Sequence, residues 1–150
     1  MKISRRHAIK LGSLGAIFTS LSGFTKSLLA EWPAASFDTT VYDDAYAIVI
    51  DGVEPQEGGI KIDAPEIASN GATVPITVST DMENVKTISV LVENNPRPYI
   101  ATFFINDNIE ASIATRVKMR ETSNVVAIVE TAEGKFIAKQ SVKVTAGGCA

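Results

Sequence analysis

Between residue 59 and residue 145 the chain repeats one pattern: short apolar runs of period two, broken by turn residues. In ATVPITVST, Val74, Ile76 and Val78 fall on one face; in VKTISVLVE, Ile88, Val90 and Val92 do the same. SIATRVKMR sets Ile113, Val117 and Met119 against Arg116, Lys118 and Arg120, one face buried and one wet. GIKIDAPEI, YIATFFIND, NVVAIVETA and KFIAKQSVKVT complete a set of seven, separated by Asn-, Ser- or Gly-containing turns such as Ser69-Asn70-Gly71. Seven short strands without long helices between them predict an all-β fold, an immunoglobulin-like antiparallel β-sandwich. Pro65 stops the first strand, and Pro75, which lacks a ladder donor, places its strand at an edge or a bulge. Upstream, VYDDAYAIVIDG predicts a short N-terminal helix with Val41, Ala45, Ile48 and Val49 inward. Thr39 or Thr40 would cap it, Asp43 and Asp44 would occupy the first turn, and Gly52 would end it. The run AYAIVI also reads as a strand. VEPQEGG reads as a turn.

Charge divides the chain. Residues 1–30 hold Lys2, Arg5, Arg6, Lys10 and Lys26 and no acid, a charge of +5. The remainder, with 9 basic and 17 acidic residues, carries −8. The positive start leads into a Gly-, Ser- and Ala-rich apolar stretch interrupted by Lys26, the makeup of a cleaved leader and not of a permanent membrane span. Within it, Ser4-Arg5-Arg6-His7-Ala8-Ile9-Lys10 resembles the twin-arginine (Tat) export signal, with Ala8 where phenylalanine is usual. A Sec signal and a mitochondrial-type presequence are the competing readings. The expected organisation is an export signal over 1–30, a sandwich over 31–145 and a C-terminal arm over 146–150, with a periplasmic destination. The 150 residues, 45% hydrophobic, suffice for one such domain. The acidic body excludes nucleic acid as partner and makes a poor ligand for anionic membranes.

The sole histidine, His7, lies in the leader, and the sole cysteine is Cys149. The mature chain therefore offers no Ser-His-Asp or Cys-His mechanism and no His/Cys metal site, and neither cofactor nor catalytic residue is expected. Cys149 follows Gly147 and Gly148 beside the terminus, a position that argues against packing in a core. Glycines without Cβ atoms let such a segment enter a narrow channel. No lysine or arginine follows Lys143, so nothing nearby activates the thiol. Two readings stand level on these residues: a thiol that carries a group, and a thiol that joins a partner by an intermolecular disulfide. An enzyme fares worst.

Taken together, APEIASNGATVPITV, LVENNPRP, TRVKMRETSNV and VKVTAGGC resemble the SoxY family of sulfur-oxidation carriers. The resemblance spans essentially the whole mature chain. It implies a heterodimer with a SoxZ-like partner of similar fold, and Cys149 as the point of covalent substrate attachment. It implies transient contacts with SoxAX-, SoxB- and SoxCD-like enzymes, and thiosulfate or sulfane sulfur as cargo. The family tail commonly reads Gly-Gly-Cys-Gly-Gly; here Ala150 follows Cys149 directly. Three further features invite a partner or a plain solvated surface: the asparagine turns ASNG and ENNP, the basic residues Arg116, Lys118 and Arg120, and the pair Phe103 and Phe104, which point to opposite sides of one strand.

Overall fold

The computed structural model describes residues 34–106 and 109–145. The chain divides into two units, Met1–Trp32 and Pro33–Ala150, and the described residues belong to the second. Among the described residues two helices come first, α1 (Ala34–Asp38) and α2 (Tyr42–Ile50). Nine strands follow: β1 (Gln56–Glu57), β2 (Ile60–Asp63), β3 (Ile67–Ala68), β4 (Val74–Thr80), β5 (Val85–Val92), β6 (Tyr99–Phe104), β7 (Ser112–Val117), β8 (Ser123–Thr131) and β9 (Lys135–Val144). Seven of them have four residues or more, and these coincide with the seven periodic runs. The large sheet has the order β1-β9-β8-β5-β6, with β3 also on β9; the small sheet has the order β2-β4-β7.

The predicted sandwich core lies between the sheets. Val74, Ile76 and Val78 of β4, with Val117 and Met119, face Ile88, Val90 and Val92 of β5 and Val125, Ala127 and Val129 of β8. The polar partners of this alternation, Arg116, Lys118 and Arg120, are exposed. Pro75 stands opposite Arg116 of β7, while β2 pairs only with Thr77–Thr80. At Pro75 the strand is thus locally an edge, and the missing N–H leaves no ladder bond unmade.

A clean wet-and-dry alternation fails on β5 and β8. Ser89 and Leu91, and Val126 and Ile128, are buried as well. A second core occupies the outer face of the large sheet, where Leu91, Val126, Ile128, Ile137 and Tyr99 meet Ala45 of α2. The stripe that α2 buries is Tyr42, Ala45, Tyr46 and Val49, at spacings of three and four. Val41 (52% exposed) and Ile48 (41%) point outward, contrary to expectation. Tyrosine rings cover the sheet with their apolar bodies and supply the face that counting aliphatic residues misses.

The ends of α2 also differ from expectation. Val41 is the N-cap and no side chain caps the helix; the Thr39 hydroxyl donates instead to the Ser36 carbonyl, 2.8 Å. Asp43 and Asp44 do lie in the first turn, favourably placed against the helix dipole. At the other end Asp51 takes the left-handed conformation (φ 47°), its N–H bonding the Ala47 carbonyl, ahead of Gly52. A nine-residue helix is marginal alone, so its hold on the sheet decides whether it forms. Lys135 provides much of that hold. It is 9% exposed, and its Nζ donates to the carbonyls of Val49 and Ile50, both at 2.8 Å. A cation there meets the negative end of the helix and satisfies carbonyls with no partner in the helix itself.

Two short pieces depart from the antiparallel pattern. β1, within the segment read as a turn, and β3 each pair in parallel with β9, β1 at its start (Gln56↔Phe136) and β3 at its end (Ala68↔Val144). Two residues carry no period, so nothing in the sequence signals them. Gly58 and Gly59, at φ 111° and 72°, turn the chain from β1 on the large sheet to β2 on the small one.

Lys135→Met keeps the volume and removes both bonds to α2. The expected cost is about 1.5–3 kcal/mol, the scale of hydrogen bonds to a charged group. Urea unfolding measures it, and a change below the range's lower bound would mean that packing alone holds the helix.

Candidate functional site

The residues singled out for attachment and for the arm, Cys149, Gly147 and Gly148, lie outside the described residues, as do Arg5 and Arg6 of the leader. The structure describes the base from which the C-terminal segment starts. The end of β9 is gripped from both sides. On one side Lys143 N–H donates to the Glu66 carbonyl (2.9 Å) and Thr145 N–H to the Ala68 carbonyl (3.1 Å), where β3 adds its pairing. On the other, Val144 N–H donates to the Thr122 hydroxyl, 3.0 Å. Val142 just before is fully buried. Cys149 follows four residues after Thr145, so its Cα lies at most ~14 Å from that of Thr145 at about 3.3–3.6 Å per residue.

The two asparagine turns sit around this end of the sandwich and serve its own structure. Asn94 donates from its backbone N–H to the Ser123 hydroxyl (2.9 Å) and from Nδ2 to the Thr122 carbonyl (2.9 Å). Asn95 Nδ2 donates to the Lys118 carbonyl (2.6 Å), and its Oδ1 accepts from Arg120 N–H (3.2 Å). These bonds fix the 118–123 segment that in turn holds Val144. In the other turn, Asn70 Oδ1 accepts from Ala72 N–H (2.8 Å), while the Gly71 carbonyl accepts from Met119 N–H (2.7 Å). Side chains that bond the backbone this way are the usual means of fixing a turn.

Glu93 binds the same end to the sheet. Its N–H donates to the Asn124 carbonyl (3.1 Å), Oε2 accepts from Asn124 Nδ2 (2.8 Å), and Oε1 accepts from Lys139 Nζ (2.9 Å). The hydrogen bond to Glu93, partly offset by burial, holds the Lys139 ammonium above its ordinary pKa. The same Nζ lies 5.8 Å from the centre of the Tyr42 ring. Desolvation raises the Tyr42 hydroxyl in turn.

The basic residues do not act as one group. Arg116 lies on the outer face of the small sheet across from Pro75. Lys118 and Arg120 line a different cavity, of about 500 Å³, together with Arg97 and with Asn95, Pro96, Tyr99 and Ile100. Arg97 is the cation that reading the β7 strand alone misses. It stands more than 20 residues upstream in ENNPRP, and only the staples from Asn94 and Asn95 bring its loop beside the 118–120 segment. Of the paired phenylalanines, Phe103 packs against the sandwich core and Phe104 is 82% exposed.

The fold defines a class: two-sheet β-sandwich proteins with a short helical layer over one sheet. The match to a known family is direct. The family model described as sulfur oxidation protein SoxY matches residues 47–149, and this chain belongs to that family. Among solved structures it is similar to the sulfur carrier protein SoxY from Chlorobium limicola f thiosulfatophilum. That protein is 36% identical, with a TM-score of 0.63 over 69% of this chain and 96% of the other. A superoxide reductase (neelaredoxin) from Ignicoccus hospitalis also matches, at 17% identity and a TM-score of 0.52, over 63% of this chain and 83% of that one. At that identity the likeness shows the fold alone. No curated protein matches the sequence.

Thr122→Val removes the acceptor beneath Val144 without changing the shape. Amide exchange at Val144 should accelerate several-fold, since a backbone N–H loses its partner while global stability falls by about 1 kcal/mol. An unchanged rate would show that β3 alone secures this end. Glu93→Gln should weaken the fold by under about 1 kcal/mol, because Lys139 is half exposed. The raised lysine favours folding below its ordinary value of 10.5 and ceases to as pH climbs through its higher folded value. The gap between variant and wild type in thermal melts should hold near neutrality and shrink above pH 10.5; a gap constant across that range would exclude the ion pair as its source.

Proposed function

We propose that this chain is a periplasmic carrier that holds thiosulfate-derived sulfur intermediates covalently on Cys149 and presents them to the enzymes that process them. Membership of the SoxY family, through a match running to residue 149, carries the reading. The firmly held end of β9 supports it, because an attachment point four residues past a fixed base stays within a defined radius while the domain serves as a handle. The leader with Arg5 and Arg6 would deliver the chain through the Tat route, folded and already paired with a SoxZ-like partner. The domain itself performs no catalysis on this reading. With His7 confined to the leader, acid–base groups must come from the enzymes visited.

Loading begins when the Cys149 thiol and thiosulfate join through a new S–S bond with loss of one proton and two electrons, which a SoxAX-like haem protein accepts. Water then hydrolyses the terminal sulfone group, releasing sulfate, as a SoxB-like enzyme would catalyse. The sulfane sulfur left on Cys149 is oxidised further by a SoxCD-like enzyme or handed on. Gly147 and Gly148 let the segment pass through narrow openings, where a Cβ would collide. Ala150, in place of the usual glycines, adds one methyl group behind the reacting sulfur.

Intact mass spectrometry of the protein purified from thiosulfate-grown cells tests the proposal against a Cys149→Ser control. Sulfonate, thiosulfonate or polysulfide adducts that a reductant removes and the control lacks are expected. A bare thiol throughout, or one fixed disulfide to a single protein, would sink the carrier and favour an interaction module.

A further inference from the structure

Residues 31–150 hold 9 basic side chains against 17 acidic ones. Lys86, Lys135 and Lys139 are engaged in ion pairs with Glu130 and Glu93. Three others, Arg97, Lys118 and Arg120, line one cavity of about 500 Å³, and no carboxylate stands among its described lining. Among the described residues neither Arg97 nor Arg120 has an ion-pair partner. Like charges held side by side repel, and an anion between them turns that repulsion into attraction. On a body of net −8 the cavity is a local reversal of sign.

The backbone builds this cluster. In ENNPRP, Arg97 stands between Pro96 and Pro98. The ring of Pro96 fixes its own φ, and Pro98 restricts Arg97 to extended conformations. The loop closes through Val92 N–H to the Pro98 carbonyl (2.8 Å) and Asn95 N–H to the Val92 carbonyl (3.3 Å). Asn95 then ties it to the opposite wall, from Nδ2 to the Lys118 carbonyl (2.6 Å) and at Oδ1 from Arg120 N–H (3.2 Å). Both bonds use main-chain groups of the 118–120 segment and leave the Arg120 guanidinium out. A ligand therefore meets a preformed backbone and has only side chains to order. Pro96 and Ile100 add apolar surface beside the cations.

Such a cavity suits a small dianion with one apolar side. Guanidinium groups bond oxyanions through two parallel N–H···O contacts. The volume exceeds that of one tetrahedral oxyanion, so the anion enters with part of its water. Thiosulfate meets these conditions, with three oxygens for the cations and a polarisable terminal sulfur for the apolar surface. The cavity is also close to the base of the C-terminal segment. Arg120 precedes by two residues Thr122, whose hydroxyl holds Val144 N–H, so at most about 7 Å of chain separates the two.

We propose that this cavity is a non-covalent binding site for free thiosulfate, held by Arg97, Lys118 and Arg120. The charge geometry argues for the dianion, and the choice of thiosulfate rests on the carrier reading above. A body of net −8 repels its own anionic substrate at long range, and the site offsets that repulsion where the chain toward Cys149 begins.

NMR titration of the full chain carrying Cys149→Ser, in which covalent loading is impossible, tests the proposal at constant ionic strength. Amide shifts at Arg97, Lys118 and Arg120 should move saturably with thiosulfate, less with sulfate and not with chloride. Arg97→Gln and Arg120→Gln should each weaken binding by about threefold to fivefold, the scale of an exposed ion pair. Arg116→Gln removes a cation outside the cavity and should change nothing. Amide positions elsewhere in the spectrum verify the fold of each variant. Shifts that never saturate, or an equal response to sulfate, would overturn the proposal. So would an effect of Arg116→Gln as large as that of Arg97→Gln, the mark of diffuse charge. Adducts on Cys149 of the wild type without saturable shifts in the Cys149→Ser chain would remove the site and leave the carrier. Saturable shifts without adducts would keep the site and remove the carrier.

Discussion

Burial of β5 and β8 on both faces is the constraint on which the rest of the molecule depends. One face closes the sandwich through Ile88, Val90, Val125 and Val129; the other must be covered by something, and Leu91, Val126 and Ile128 receive α2. This requirement explains why a short helix with no side-chain cap is retained, and why a buried lysine reaches across to its last carbonyls. It also makes the large sheet the rigid layer. β9 inherits that rigidity through its full-length pairing with β8, from Ser123↔Val142 to Glu130↔Lys135.

That rigidity is delivered to one place. Loops from three parts of the chain, at Glu66–Ala68, Asn94–Asn95 and Lys118–Ser123, converge on the last residues of β9 through backbone and side-chain bonds. A carrier of the proposed kind gains from this division between a fixed base and a short extension. The distance from Thr145 to the Cα of Cys149 is bounded by residue count, and that origin is set by the sheet. The asparagines at this end belong to the base: Asn70, Asn94 and Asn95 each bond backbone groups of the domain through their side chains.

The sequence made much of this legible, and each gap has a cause. Period two located the seven strands because each has one face in the sandwich core, as at Val74, Ile76 and Val78. It could not show that β5 and β8 are covered again, since a continuous apolar run such as VVAIV reads the same whatever covers its second face. The face of α2 was misread because Tyr42 and Tyr46 are amphipathic, and the weight was placed on Val41 and Ile48. β1 and β3 were invisible because two residues have no period. Arg97 joined Lys118 and Arg120 only through a loop whose path no local rule dictates. Phe104 was singled out, yet which of the two phenylalanines would be exposed depended on β6 lying at the border of its sheet.

By itself the sequence determined the seven longer strands, the acidic charge of residues 31–150, the family motifs and the single cysteine behind two glycines. These are local or compositional properties, written in alternation and in residue type. Tertiary structure alone decided the strand order, the helical layer over the large sheet and the grip on β9. Each of those depends on contacts between residues far apart in the chain, and the pairing of one strand with another is fixed by the energy of the assembled layers.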